Sequence, residues 1–282
     1  MTPPDPYRAR PDPARLSLNT ATVKKQWTLA QAIDGCARHG IRGISPWRDK
    51  LAEMGLKQAA TAIRAKGLTV TGLCRGGFFT AKDWLDDNRR AIEEAHALGA
   101  QCLVLVVGGL PGNSKDIARA RARVTECISI ILPEARKAGV PLAIEPLHPM
   151  QAADRACINT LEQALDVCDA LGEEGRGAQC ALGVAVDVYH VWWDPKLEQQ
   201  IQRAGNRLLA YHICDWLVPT RDLLNDRGMM GDGVIDLPRI RSWVEAAGYT
   251  GFHEAEIFSE LDWWRRDADE VLRVCRQRHR DT

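Results

Sequence analysis

Four apolar segments in the second half of the chain each end in a side chain that can bind a metal ion or transfer a proton. These side chains are Glu145, Asp187, His212 and Glu256. A charged group at the end of a buried strand is costly unless it is paired or binds a metal. Three carboxylates and one imidazole favour Mn²⁺, Mg²⁺, Co²⁺ or Zn²⁺ over metals that prefer thiolates. The sequence therefore predicts a site for one divalent metal ion, with Mn²⁺ as the first candidate.

The elements that carry these residues alternate between short strands and helices along most of the chain. Strands are predicted at about residues 15–19, 41–45, 67–73, 102–107, 142–145, 184–187, 208–212 and 252–256. Each is a leucine-rich or β-branched run without polar alternation, as expected for parallel strands buried on both faces. Helices are predicted at about residues 28–39, 49–66, 82–98, 114–139, 160–171 and 238–247, after Pro195, and at the carboxyl terminus.

Eight strand–helix pairs within 282 residues predict an α/β fold, a single (β/α)8 barrel of the TIM type. Catalytic residues in such barrels lie at the carboxyl ends of the strands. Because the four candidate ligands end strands five to eight, the pattern places the metal site at the C-terminal ends of these strands. Residues 1–14, rich in proline and charge, are predicted to form a loose amino-terminal arm, and residues 15–282 are predicted to form the barrel domain.

The composition excludes several classes of partner. The chain has 37 basic and 37 acidic residues and a formal charge of zero, so no overall field attracts nucleic acid or an anionic membrane. Its nine cysteines are scattered without C-x-x-C pairs, which indicates reduced thiols in a cytoplasmic protein. No apolar run is long enough to span a membrane, and the amino terminus has no signal-peptide core. We therefore expect a soluble, unsecreted protein that binds neither nucleic acid nor a membrane.

Short motifs around the four candidate ligands carry a family resemblance. They are Ile144-Glu-Pro146, Asp187-Val-Tyr-His190, His212-Ile-Cys-Asp215 and Glu254-Ala-Glu-Ile-Phe258. Their order and spacing resemble the xylose isomerase-like barrel superfamily, the sugar phosphate isomerase/epimerase group, over nearly the whole chain. This group includes D-tagatose 3-epimerase, inosose isomerase and dehydratase, and endonuclease IV. No phosphate-binding loop is recognisable, so the resemblance leaves open whether the substrate is phosphorylated.

The resemblance implies one divalent ion bound by Glu145, Asp187, His212 and Glu256. Glu254 is the competing ligand in the last strand; Glu256 is preferred because an apolar residue and Phe258 follow it, as they follow the family's ligand. In the epimerases of this group, the residues matching Glu145 and Glu256 also remove and return the α-proton of a ketose, while the metal stabilises an enediolate. The residue matching His190 contacts the substrate or stabilises its oxygen.

Hydride transfer, as in xylose isomerase itself, needs a second metal with additional carboxylates. Asp215 and Asp232 are the spare candidates for such a site. With so few further carboxylates, the sequence favours proton transfer over hydride transfer.

Other strand ends and one long loop supply candidate substrate contacts. Trp47 suits stacking on the apolar face of a sugar, and Arg48 and Arg75 suit hydroxyl, carboxylate or phosphate groups. Alternatively, these two arginines form ion pairs in the rim of the barrel. Arg227 is a further candidate, in the long segment between strands seven and eight. The glycines and methionines of this segment predict a mobile cover over the pocket.

Three rival functions fit parts of the pattern. His148 suits the general base of a lyase that eliminates the aglycone from 3-keto-glycosides, resembling C-glycoside deglycosidases, or of an inosose dehydratase; it also suits a rim histidine without a catalytic role. A small partner subunit would favour the lyase, whereas a homo-oligomer is expected of an isomerase. Endonuclease IV-like DNA repair is disfavoured, because Gly228 and Arg75 stand where zinc-binding histidines are expected. The intact set of four ligands disfavours a non-catalytic sugar-binding barrel.

Overall fold

The computed structural model describes residues 10–173 and 180–282. These residues form eleven strands and ten α-helices. The strands are β1 (Leu16–Asn19), β2 (Gly43–Ser45), β3 (Thr69–Val70), β4 (Leu73–Gly77), β5 (Leu103–Val106), β6 (Leu142–Ile144), β7 (Leu182–Asp187), β8 (Leu208–Ile213), β9 (Asp215–Trp216), β10 (Arg227–Gly228) and β11 (His253–Ala255). The helices are α1 (Leu29–His39), α2 (Arg48–Met54), α3 (Leu56–Ala65), α4 (Trp84–Leu98), α5 (Ile117–Ala138), α6 (Leu161–Ala170), α7 (Val188–Val191), α8 (Leu197–Ala204), α9 (Leu237–Ala246) and α10 (Ala268–His279).

Nine of the strands form one sheet in the order β3-β2-β1-β11-β8-β7-β6-β5-β4. All of its strand pairs are parallel. Of the two end strands, β3 lies within the third predicted strand and β4 begins at its last residue, Leu73. A parallel bridge between Trp47 and Cys74 links the segment after β2 to β4. The sheet is therefore a nearly closed barrel, and the predicted single TIM barrel is confirmed.

Local capping residues set the helix boundaries. Helix α1 begins after Thr28, which forms a reciprocal capping box with Gln31, and ends at Gly40 with a φ of 64°. The helix predicted over 49–66 is divided into α2 and α3 by Gly55, whose φ of 87° is not helical. The other helices with predicted bounds are confirmed to within three residues at each end. None of the helices in the described ranges combines the length and apolarity needed to cross a membrane.

The predicted amino-terminal arm is described only in part, because residues 1–9 lie outside the described residues. In the remainder, the Asp12 side chain accepts a hydrogen bond from the Ala14 N–H at 2.9 Å. This bond caps a short 3₁₀ turn over Pro13–Arg15. The end of the arm thus has local structure immediately before β1.

The segment between β8 and α9 is folded against the barrel. The Asp215 carboxylate accepts hydrogen bonds from three backbone N–H groups between residues 231 and 235, at 2.9–3.0 Å. Met229 and Met230 are 0% and 1% exposed and belong to the hydrophobic core. The two methionine side chains are therefore enclosed by the core, and a mobile cover formed by this segment stays a prediction.

A buried histidine pair joins the last strand to the last helix. His253 Nδ1 and His279 Nε2 are 3.0 Å apart, and the two residues are 0% and 1% exposed. Burial, reinforced by the charge of His279, lowers the pKa of His253 to about 3. Burial and the charge of Arg241 lower the pKa of His279 to about 4. Both rings are therefore neutral in the folded protein at pH 7.

We expect the protein to lose stability as the pH falls from about 6.5 towards 4, because the unfolded chain then binds protons that the folded chain does not. By pH 5 each of the two histidines should lower the free energy of unfolding by about 2 kcal/mol. Urea denaturation at pH 7 and pH 5 measures this loss, which should be smaller by at least about 1 kcal/mol in His279→Gln. His96→Gln, an exposed control, should behave as the wild type. An equal loss in His279→Gln and the wild type would contradict the prediction.

Candidate metal centre and active site

Four strand ends bring the predicted ligands together at the mouth of the barrel. Glu145 follows β6, Asp187 ends β7, His212 lies in β8 and Glu256 follows β11. One ligand atom of each lies within 4.8 Å of the other three, and each residue is at most 6% exposed. Within residues 10–173 and 180–282, this is the single such group of His, Cys, Asp and Glu side chains. We call these four residues the acidic group.

His212 has carboxylates on both sides of its ring. Nδ1 lies 3.0 Å from Glu145 Oε1 and 3.7 Å from Glu256 Oε2, whereas Nε2 lies 3.5 Å from Glu254 Oε1. Burial alone would lower the pKa of His212, but Glu254, Glu145 and Glu256 outweigh burial and raise this pKa well above its usual value. Because Glu254 lies across the ring from the acidic group, the geometry favours Glu256 as the ligand from the last strand.

Neutral side chains hold the two glutamates of the last strand. Asn19 Nδ2 donates to Glu254 Oε1 at 2.7 Å and to Glu256 Oε1 at 2.9 Å. Thr71 Oγ1 donates to Glu254 Oε2 at 2.8 Å, and Trp47 Nε1 donates to Asn19 Oδ1 at 2.8 Å. One asparagine of β1, itself oriented by a tryptophan, therefore positions both carboxylates.

Arg227 spans two carboxylates of the acidic group. Its Nη1 donates to Asp187 Oδ2 at 2.8 Å and to Glu256 Oε2 at 2.9 Å, and its guanidinium packs against the Tyr189 and Phe258 rings. Burial would raise the pKa of Asp187, but Arg227 together with His190, His212 and the Tyr189 N–H outweighs burial, and this pKa is lowered to about 2. Burial raises the pKa of Glu256 to about 8, against the opposing charge of Arg227. Arg227 thus contacts two candidate ligands directly.

His190 is buried beside Asp187 and Arg227. Two donors face its ring: the backbone N–H of His148 lies 3.1 Å from Nδ1, and the Arg227 guanidinium lies beside Nε2. A neutral imidazole has one N–H and one acceptor nitrogen, so it accepts a hydrogen bond from one of these two donors. Burial lowers the pKa of His190 to about 3, which keeps the ring neutral. Nε2 lies 3.7 Å from Asp187 Oδ2 and 3.1 Å from Arg227 Nη2. The neutral ring keeps one N–H, which can donate a hydrogen bond to a substrate oxygen.

A pocket opens directly onto the acidic group. Its lining contains four residues described above, namely Glu145, His190, Arg227 and Glu256. Trp47 and Arg75, two of the predicted substrate contacts, also line it. Gln151 and Arg155 complete its polar lining, and the sequence did not identify them. They lie in an irregular segment after β6 that has no recognisable motif.

Arg48 is not part of this lining. Its Nε is 2.5 Å from Glu94 Oε2, and its Nη1 and Nη2 are 2.9 and 3.0 Å from the Asp87 carboxylate. Nη1 is also 3.3 Å from the backbone carbonyl oxygen of Arg75. The predicted substrate contact is therefore not supported for Arg48, and the alternative of an ion pair in the barrel rim describes this residue.

His148 lies outside the pocket lining, among aromatic side chains. Its ring stacks on Trp216 with centroids 4.9 Å apart and meets Trp193 edge-on at 5.9 Å. Its Nδ1 accepts a hydrogen bond from the Met150 N–H at 3.3 Å, and burial lowers its pKa. These contacts agree better with a rim histidine than with a catalytic base.

Asp215 and Asp232, the spare carboxylates for a second metal, have structural partners. Asp215 accepts the backbone hydrogen bonds of the segment before α9. Asp232 accepts hydrogen bonds from Trp263 Nε1 at 2.8 Å and from the Met229 N–H at 3.0 Å. Neither carboxylate joins the acidic group.

The sequence matches the model of one protein family, described as the xylose isomerase-like TIM barrel, over residues 33–277. The chain belongs to this family. An inosose isomerase of Bacillus velezensis is 25% identical to this xylose isomerase-like barrel over 284 aligned positions, which cover 93% of this chain and 95% of that protein.

Solved structures share the fold of this xylose isomerase-like barrel. Protein SMc04130 of Sinorhizobium meliloti 1021 is 59% identical, with a TM-score of 0.91 over 95% of this chain and 98% of that one. The IOLI protein with a bound zinc atom is 20% identical, with a TM-score of 0.77 over 94% and 96% of the two chains. A D-allulose 3-epimerase of Methylomonas sp. is 20% identical, with a TM-score of 0.72 over 95% and 98%.

The acidic group of this xylose isomerase-like barrel fits a divalent cation. Among the described residues, His212 Nδ1, His212 Nε2 and Glu145 Oε1 are buried atoms without a hydrogen-bond partner, although Nδ1 and Oε1 are 3.0 Å apart. The charges of Glu145 and Asp187 add to burial in raising the pKa of Glu256. A divalent ion offsets this repulsion, and Nε2 facing Glu254 is the usual arrangement of a metal-binding histidine.

Proposed function

We propose that the protein is a divalent-metal-dependent isomerase or epimerase of a sugar or keto-polyol, acting by transfer of the proton on the carbon next to a carbonyl group. The observation that carries the proposal is the position of Glu145 and Glu256, which both belong to the acidic group and both line the pocket. The inosose isomerase and D-allulose 3-epimerase relatives support it. The chain is an enzyme of the sugar isomerase/epimerase type.

Glu145, Asp187, His212 and Glu256 would hold the metal ion. We propose Mn²⁺, with Mg²⁺, Co²⁺ and Zn²⁺ as alternatives, because the donor set is rich in oxygen. When bound, such an ion polarises a substrate carbonyl group and stabilises the negative charge that develops as the α-proton leaves. The zinc atom in the IOLI protein supports a divalent ion in this fold.

We assign removal and return of the α-proton to Glu145 and Glu256. Glu256 is held in place, because Asn19 donates to its Oε1 and Arg227 to its Oε2. Glu145 lines the pocket, where its carboxylate can reach a bound substrate. If these carboxylates act on opposite faces of the substrate, one removes the proton and the other returns it with inversion of the carbon.

Two further pocket residues would orient the substrate. His190 would form a hydrogen bond with a substrate oxygen, and Trp47 would offer ring surface to the apolar face of a sugar. The substrate is then a small carbohydrate or cyclic polyol. We also propose a cytoplasmic homo-oligomer; eight of the nine cysteines are buried free thiols, which suits a reducing compartment.

Product analysis by NMR tests the proposed reaction. Mn²⁺-loaded protein is incubated with a panel of ketoses, inososes, 3-keto-glucosides, ketose phosphates and keto-sugar acids, beside protein stripped with EDTA. We expect a new epimer or isomer from at least one member of the panel, formed only when metal is present. A released aglycone with an unsaturated keto sugar as the sole product would identify a lyase instead, and no product from the whole panel would also contradict the proposal.

A further inference from the structure

Two arginines line the pocket without an acidic partner. Arg75 lies in β4 and Arg155 in the segment after β6, and both share the pocket with Glu145 and Glu256. The Nε atom of each is buried and has no hydrogen-bond acceptor among the described residues. Both residues are half-buried. Their remaining guanidinium N–H groups are therefore available to a molecule that enters the pocket.

Neighbouring arginines differ from these two. Arg48 is paired with Asp87 and Glu94, and Arg227 is paired with carboxylates of the acidic group. The fold thus supplies an anion to each of these arginines. No Asp or Glu of the described residues forms an ion pair with Arg75 or Arg155, although both lie in the same region of the barrel mouth.

The positive charges of the two unpaired guanidiniums repel each other. Burial, followed by the charge of Arg155, lowers the pKa of Arg75 to about 10. Arg75 is oriented by the Phe78 ring, whose centroid is 3.8 Å from the guanidinium carbon. Holding two cations together in a partly desolvated pocket is unfavourable unless an anion joins them.

The acidic group does not need to supply that anion. Under the proposed function, a divalent ion and the Arg227 guanidinium bring three positive charges to the three carboxylates of the group. The carboxylates are then balanced without Arg75 and Arg155. A ligand with a negative charge can therefore pair with these two arginines without competing with the acidic group.

We propose that Arg75 and Arg155 bind an oxyanion of the substrate, so that the natural substrate is an acidic sugar derivative. We call this pair the anion subsite. A carboxylate and a phosphate both offer paired oxygens that a guanidinium binds with two parallel hydrogen bonds. Gln151, buried in the same lining, supplies a neutral amide beside them. The substrate would be a keto-sugar acid or a sugar phosphate, with its carbonyl group at the acidic group and its oxyanion at the anion subsite. This inference deepens the proposed function and rests on it.

Calorimetric titration with two non-reacting probes, inorganic phosphate and D-gluconate, tests the anion subsite without turnover. The variants are Arg75→Gln and Arg155→Gln, each measured with Mn²⁺ and after EDTA treatment. We expect each variant to bind the tighter probe about 10–100-fold more weakly than the wild type. The control Arg119→Gln removes an exposed arginine of α5 and should leave the affinity unchanged. The probe that binds more tightly identifies a carboxylate or a phosphate as the group recognised.

Two results would overturn the anion subsite. One is binding of both probes that is unaffected by either arginine substitution and is lost with the metal, which would place the anion at the acidic group. The other is the absence of measurable binding of either probe to the wild-type protein.

Turnover of matched substrates separates this inference from the proposed function. Neutral ketoses are compared with their 6-phosphates and with the corresponding keto-sugar acids. We expect kcat/KM to be about 100-fold higher for one acidic class than for the neutral sugars, and Arg75→Gln to reduce that ratio at least about 10-fold. Turnover of neutral sugars with no preference for acidic ones would reject the anion subsite and leave the proposed function standing. Arginine-dependent binding of a probe without turnover of any substrate would reject the proposed function alone.

Discussion

Substitution of His212 by glutamine is expected to weaken Mn²⁺ binding by about 100-fold or more, because it removes the one nitrogen donor of the acidic group. The wild-type protein should also be stabilised by Mn²⁺, by about 2.7 kcal/mol at a concentration of 100 times Kd. His212→Gln should show little of this effect. Mn²⁺ affinity is measured by calorimetric titration and by the metal content after gel filtration. Stabilisation is measured as the thermal midpoint with and without Mn²⁺.

Two further variants serve as comparisons for the Mn²⁺ affinity of His212→Gln. Glu254→Gln changes the carboxylate that faces Nε2 and leaves the acidic group intact, so we expect an intermediate loss of affinity of about 10-fold. His96→Gln, at an exposed position in α4, should bind Mn²⁺ as the wild type does. Wild-type affinity in a folded His212→Gln protein would show that the ion is bound elsewhere or not at all.

Substitution of Glu256 by glutamine is expected to lower kcat by about 10²–10⁴-fold. The amide cannot accept the α-proton, although its oxygen can remain beside the ion. Mn²⁺ affinity should therefore fall less than in His212→Gln. The rate is measured on the substrate found by product analysis, and metal content is measured on the same samples.

A control and a check on folding accompany the Glu256 variant. Glu260→Gln changes an exposed glutamate four residues later and should leave kcat unchanged. The new amide N–H₂ group would face Asn19 or Arg227, which are both donors, so the thermal midpoint must be compared with that of the wild type. If folded, metal-loaded Glu256→Gln kept more than about a tenth of the wild-type kcat, Glu256 would not be the acid or base.

Much of the acidic group follows from the sequence, because a parallel barrel brings the carboxyl ends of its strands to one side. Glu145, Asp187 and His212 each end or follow an apolar run, and the repeat of strand and helix fixes which end they occupy. It is harder to predict which of two glutamates on the same strand joins the group. Glu254 and Glu256 point to the same face because strand side chains alternate, and only the position of the His212 ring separates their roles.

Contacts between distant segments could not be predicted. Arg48 pairs with Asp87 and Glu94 from another helix, and nothing in the local sequence distinguishes it from Arg75. Arg155 lies in an irregular segment, where no periodicity indicates the direction of a side chain. The sequence also did not indicate that the methionines before α9 are buried in the core, where backbone hydrogen bonds to Asp215 hold their segment.

A chain of hydrogen bonds links Trp47 in the pocket wall to the acidic group. Trp47 orients Asn19, Asn19 holds Glu254 and Glu256, and the carboxylates in turn flank His212. Such supporting contacts keep ligands and proton-transfer groups in position before the substrate arrives. The proposed chemistry therefore depends on residues from β1 and the end of β2 as well as on the four ligand-bearing strands.

Incorporation of solvent deuterium tests metal-dependent proton transfer most directly. The Mn²⁺-loaded protein is incubated in D₂O with the substrate identified by product analysis, and the carbon next to the carbonyl group is followed by NMR. We expect deuterium at that carbon in the product, with exchange abolished by EDTA and restored by Mn²⁺. Product formed without deuterium would indicate direct hydride transfer, and exchange at an undiminished rate after removal of the metal would contradict the role assigned to the acidic group.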